Sequence, residues 1–238
     1  MTSPARTGMA PELAMDLAQA ALALAQRFSA GATMWCIAPA FSPHAQHIAV
    51  EFVHPVVVGK RALPAVALTG PELVGQVRLS ARAGDVVIAC AGAVDPDVGA
   101  VMQRAAAWGV TTIWLGNGER PLMGAADHVL WLEDPDPTLA ATGEFVLMYH
   151  LLWELTHVCF EHPGLLTSPP TVCTDEVCIT CSDEGRPAEV LSTAPDGTAS
   201  VRTAQGREDV VTVLAGALFP GDLVLVHAGM VISKLKEA

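Results

Sequence analysis

The chain has 238 residues, 51% of them hydrophobic, and a formal charge of −12 from 25 acidic against 13 basic side chains. That is enough for one large globular domain or two smaller ones, and a field of that sign repels phosphate backbones and anionic lipid, which excludes nucleic acid and membrane surfaces as partners. Six cysteines without framework spacing fit a reducing compartment, so the expected location is the cytoplasm.

Only Arg6 stands ahead of the N-terminal Ala/Leu run, which Asp16, Gln19, Gln26 and Arg27 interrupt; neither a signal peptide nor a spanning helix is expected. From 11 to 28, Leu13, Leu17, Ala20, Ala21 and Leu24 recur at helical spacing and Gly31 stops the run. Apolar runs at 33–38, 64–68, 85–90, 110–115 and 128–132 then alternate with helical patterns at 45–53, 72–81 and 96–108. Continuous apolar strands between helices predict a parallel sheet covered on both faces. A long helix is predicted over 138–161, after the breaks at Pro135 and Pro137 and before the stop at Pro163-Gly164.

Residues 167–171, Thr-Ser-Pro-Pro-Thr, read as a linker. Beyond them short strands are predicted at 188–193, 198–203, 209–213 and 223–227, with turns at Pro195-Asp196-Gly197 and Pro220-Gly221-Asp222 and a short terminal helix at 230–236. The fold class is therefore α/β, a doubly wound parallel sheet over 1–165, then a linker over 166–176 and a small β-barrel with a C-terminal helix over 177–238. Cys173, Cys178 and Cys181 form a C-x4-C-x2-C cluster at the barrel entrance. Three thiolates are one short of a closed tetrahedral zinc site, which leaves open a histidine as fourth ligand, an open site for a transferable metal, a redox dithiol, or plain cysteines.

Cys178-Ile179, the hairpin region 204–211 and the closing strand Val224-Leu225-Val226-His227-Ala228-Gly229-Met230 resemble the HypC/HupF family of chaperones that help build the iron centre of nickel–iron hydrogenases. The resemblance implies an OB-like barrel, a HypD-type scaffold and the hydrogenase large-subunit precursor as partners, and iron carried transiently as Fe(CN)2CO. It makes Cys178 the iron-contacting thiolate and His227 the second essential polar group, with Cys181 able to close a reversible disulfide over the reactive sulfur. Without the resemblance, His227 also reads as a strand-end imidazole bonded to a carbonyl, and Cys173 reads as a passive linker thiol.

Residues 45–52, Ala-Gln-His-Ile-Ala-Val-Glu-Phe, together with Leu63-Pro64-Ala65-Val66-Ala67-Leu68-Thr69, Gly84-Asp85-Val86-Val87-Ile88 and the last long helix, resemble sugar isomerase (SIS) domains, nearest the phosphoheptose isomerases. This implies a flavodoxin-like sheet with ligands beyond the carboxyl ends of its strands, and a homo-oligomer formed through this domain. It also implies metal-binding or acid/base roles for His47, Glu51 and His150, and places a fourth family ligand, a glutamine, at Thr142. His47 and Glu51 are four apart and share a helix face, and two imidazoles with one carboxylate suit zinc or ferrous iron with an open position; a solvated i,i+4 pair is the plain alternative. The family's phosphate loops fall at 38–43 and 89–95. There Ser42 is the candidate phosphate contact, the prolines supply no amide donor, and Asp95 adds negative charge, so sugar-phosphate binding is not expected. Cys36 and Cys90, near strand ends, are expected as buried structural cysteines. His44, His54, His157 and His162 are expected at the surface or in linkers, and Met148, Trp153 and Leu155 in the core.

Three functions compete. The first is a non-enzymatic, HypC-like iron chaperone fused to an SIS domain that serves as scaffold, docking surface or second metal site. The second is a metal-dependent sugar-phosphate isomerase using Glu51 and His150 as acid and base. The third is a binding module stabilised by zinc on Cys173, Cys178 and Cys181.

Overall fold

Helix α1 (Pro11–Ser29) buries Leu13, Leu17, Ala20, Ala21, Leu24 and Phe28 along one stripe, begins on a proline and ends where Gly31 takes a φ of 91°. It opens an α/β unit in a computed structural model that describes residues 10–132, 143–166 and 185–235. Strands β1 (Met34–Ile37), β2 (Ala65–Leu68), β3 (Val86–Cys90), β4 (Thr111–Asn117) and β5 (His128–Leu132) form one parallel sheet in the order β2-β1-β3-β4-β5. Helices α2 (Pro43–Val53), α3 (Leu73–Ser80), α4 (Pro96–Trp108) and α5 (Gly143–Glu161) complete the unit.

The central strands are largely apolar because helices cover both faces of the sheet there. Met34, Cys36, Ile88, Cys90, Ile113, Leu115 and Leu130 point into a core shared with α1, α2 and α5. Their neighbours Ile37, Val87, Ala89, Trp114 and Trp131 point the other way, against α3 and α4. The strand order reverses between β1 and β3, so the ligand crevice belongs at their carboxyl ends, where α2 begins.

Strands β6 (Arg186–Thr193), β7 (Thr198–Thr203), β8 (Gly206–Val211), β9 (Leu223–His227) and β10 (Met230–Lys234) close a barrel in the order β10-β8-β7-β6-β9. Its interior is filled mainly by small and β-branched side chains, among them Val190, Val201, Val210, Val224, Val226 and Val231. The terminal helix expected over 230–236 is not formed. Met230–Lys234 instead folds back on β9 as a strand, through a two-residue turn in which Ala228 and Gly229 take φ of 49° and 77°, the sign required by the tight hairpin turn. Helix α5 is described from Gly143 onward, and most of the expected linker lies outside the described residues.

The barrel is keyed to the α/β unit by polar contacts on its outer face. Glu189 on β6, 2% exposed, accepts hydrogen bonds from Trp108 Nε1 (2.9 Å) and Arg78 Nε (3.0 Å). Arg202, its register partner on β7, donates to the carbonyls of Arg78 (2.8 Å) and Ala81 (2.9 Å) and lies over the Trp108 ring at 5.7 Å. Those carbonyls end α3, and a guanidinium there satisfies acceptors the helix cannot bond itself. Gly109, which ends α4 at a φ of 70°, lets the barrel approach closely: a Cβ there would lie 3.1 Å from the Ala204 Cα.

Candidate metal centre

Helix α2 carries His47 and Glu51 one turn apart, so both project from one side. Helix α5 packs against α2 and adds Tyr149 and His150. The His47 Nε2 to Glu51 Oε1 distance is 3.2 Å, His47 Nε2 to His150 Nε2 is 3.3 Å, and His150 Nε2 to Glu51 Oε1 is 3.5 Å. A tetrahedral metal at about 2.0–2.1 Å from its ligands holds them about 3.3–3.4 Å apart. The three donor atoms thus already form one triangular face of such a site. Side-chain exposures of 39%, 19% and 43% for His47, Glu51 and His150 leave the fourth direction open. Among the described residues this is the cluster with three metal-capable groups in reach of one another; Thr142 lies outside them.

Tyr149, a residue the sequence reading did not single out, stands behind the triad. Its hydroxyl is 2.8 Å from His47 Nδ1. No spacing rule links Tyr149 to His47, because the crossing of α2 and α5 is a tertiary event; its place beside His150 was the available signal.

The thiols in the core those helices cover behave differently. Cys36 and Cys90 are buried, as expected. Burial pushes the Cys90 thiol up to about 12, and burial plus the neighbouring Cys90 pushes Cys36 well above the usual thiol range. Neither joins the triad cluster, and burial favours the protonated thiol of each.

At α4 the first amides of the helix are already engaged from within the chain. The Asp95 carboxylate caps that helix, accepting from the amides of Asp97 (3.1 Å) and Val98 (3.0 Å), the donors an anion would otherwise use. Ser42 stands at the N-cap position of α2 without a side-chain capping hydrogen bond. Two histidines correct the sequence reading. His44 is 5% exposed and packs among Phe41, Phe145 and Tyr149. His157 is 2% exposed, with Nδ1 2.9 Å from the Trp153 carbonyl and Nε2 3.0 Å from that of Arg61. Aromatic and backbone partners draw these rings inward. His54 and His162 are exposed, and Met148 and Trp153 are core residues, as expected.

In the barrel, His227 is the last residue of β9, paired with Met230 beside the turn. Cys173, Cys178 and Cys181 lie outside the described residues. A separate cleft of about 590 Å³ between α1 and the loop before β5 is lined by Asp16, Arg120, Asp127 and His128. Arg120 there is engaged by Asp16 (2.7 Å) and the Val129 carbonyl (3.2 Å), and Asp127 is held by Thr112.

Comparison with known proteins divides the chain at the same place. Residues 185–238 match the HupF/HypC family, a match that begins beyond Cys178 and Cys181. A phosphoheptose isomerase from Francisella tularensis superposes with a TM-score of 0.54 at 18% identity, covering 62% of this chain and 90% of that one. The phosphoheptose isomerase of Neisseria gonorrhoeae gives 0.52 at 20% identity, over 60% of this chain and 86% of its own. At such identities the likeness is one of fold. No curated protein matches the chain. The chain therefore combines an α/β unit with the fold of these isomerases and a barrel whose residues match the HupF/HypC family model. No helix among the described residues is long and apolar enough to cross a membrane.

Proposed function

We propose that this protein is a hydrogenase-maturation accessory in which the barrel works as a HypC-type iron chaperone. The family match of residues 185–238 carries the reading. In it Cys178 contacts an Fe(CN)2CO unit, Cys181 guards that sulfur, His227 supports the complex, and a HypD-type scaffold and the large-subunit precursor are the donor and acceptor. A carrier needs few protein ligands, since each one held must be released. Co-expression with a HypD-type partner should yield co-purifying iron with cyanide and carbonyl infrared bands that vanish in Cys178→Ala. Absence of those bands from the unaltered chain sinks the reading.

The α/β unit adds a second metal position. The triad presents two imidazole nitrogens and a carboxylate oxygen at tetrahedral spacing, a donor set that fits zinc or ferrous iron with one open coordination site. Bound there, a metal would supply Lewis acidity; His47, Glu51 and His150 would hold it, and Glu51 and His150 remain the groups able to move a proton beside it.

That geometry keeps one alternative alive, a metal-dependent sugar-phosphate isomerase. Turnover of sedoheptulose 7-phosphate, abolished by Glu51→Gln, would establish it. The Asp95 cap over the α4 amides opposes it, and no turnover is expected.

A further inference from the structure

The shortest polar contact around the triad is made from behind it. The Tyr149 hydroxyl lies 2.8 Å from His47 Nδ1, whereas the contacts among the three front atoms span 3.2 to 3.5 Å. We propose that Tyr149 is a positioning residue for the metal site, its hydroxyl holding the Nδ1 edge of His47 so that Nε2 is delivered to the point shared with Glu51 and His150. The proposal rests on the triad being a metal site.

The tyrosine is built to stay in place. It is 1% exposed, and its ring is wedged edge-on against His44, His47 and His150 at centroid distances of 5.9, 5.1 and 5.5 Å. A phenol hydroxyl can both donate and accept a hydrogen bond. That versatility matters for the imidazole. A ring that ligates through Nε2 carries its proton on Nδ1, and that N–H, turned toward α5, needs an acceptor. The phenol oxygen is the acceptor within reach. With Nε2 protonated instead, the hydroxyl donates to Nδ1 and Nε2–H donates to Glu51, so one side chain serves both tautomers.

Cobalt(II), whose visible spectrum reports geometry, tests this in the full chain. Tyr149→Phe keeps the ring and removes only the oxygen. Cobalt affinity should fall by about 10- to 100-fold, the range typical of lost outer hydrogen-bond partners, with a shifted visible band and unchanged far-UV circular dichroism of the metal-free chain. Equal affinity and an equal band in the two proteins overturn the role of Tyr149 while leaving the triad intact. No cobalt binding by the unaltered chain overturns the metal site itself, and this inference with it. A variant-independent check is the nitrogen-15 spectrum of the His47 ring in the metal-free protein: a Nδ1 signal without a hydrogen-bond partner also overturns the proposal.

Discussion

The triad stands part-exposed on α2 and α5, the thiols of Cys36 and Cys90 lie in the core those helices cover, and either set could bind a transition metal by atom type alone. They differ in protonation and access. His47, Glu51 and His150 are part-exposed and converge within 3.5 Å, whereas the thiols are buried, which favours their protonated form. Donor identity is a poor guide to a metal site. What decides is whether a donor can be deprotonated where it stands and reached from outside.

Five experiments would break or sharpen that contrast. The largest effect is expected from His150→Ala, which removes one of three ligands: zinc affinity, read by competition with a chromophoric chelator, should drop on the order of 100-fold or more, at or beyond the upper end of the loss from an outer partner. Survival of tight binding would shift the site elsewhere. Cys36→Ser should instead leave zinc affinity within about twofold and cost about 1–3 kcal/mol in urea unfolding, because the new hydroxyl is buried without a designed partner.

Alkaline titration reads the thiols themselves. The unfolded thiol ionises near its ordinary value of 9.0, while Cys90 in the fold is pushed up to about 12. Stability is therefore fully present below pH 9 and is lost progressively as the pH rises from there toward 12. Alkylation of the native chain at pH 8 should be far slower than alkylation of the unfolded chain. Equal rates would show that the thiols are open after all. The smallest effect belongs to the other carboxylate at this end of the sheet: Asp95→Ala should lower stability by about 1 kcal/mol through loss of the α4 cap, with zinc affinity unchanged.

The parts of this molecule legible in the sequence were those with a local cause. Prolines and a glycine bracket α1 and α4, and strands apolar on both sides announced the parallel sheet. His47 and Glu51 were legible because i,i+4 spacing settles their shared face. Tyr149 was not, since its partner lies 102 positions away. His44 and His157 were misread because a histidine is polar by type and buried only through aromatic or carbonyl neighbours that folding supplies. The end of the barrel was misread as a helix although Met230–Lys234 holds Val231 and Ile232, β-branched residues that favour a pleated strand once Ala228-Gly229 turns the chain. Glu189 and Arg202 occupy positions that alternate with the apolar ones on their strands, which normally means solvent.

Those last two residues bear on how the whole molecule can be handled. With Glu189 gripped by Trp108 and Arg78, and Arg202 anchored on the end of α3, the barrel is mounted on its neighbour like a tool on a handle. A chain cut to begin at 185 would strand a carboxylate and a guanidinium and bare Leu223, which packs with α3 and α4.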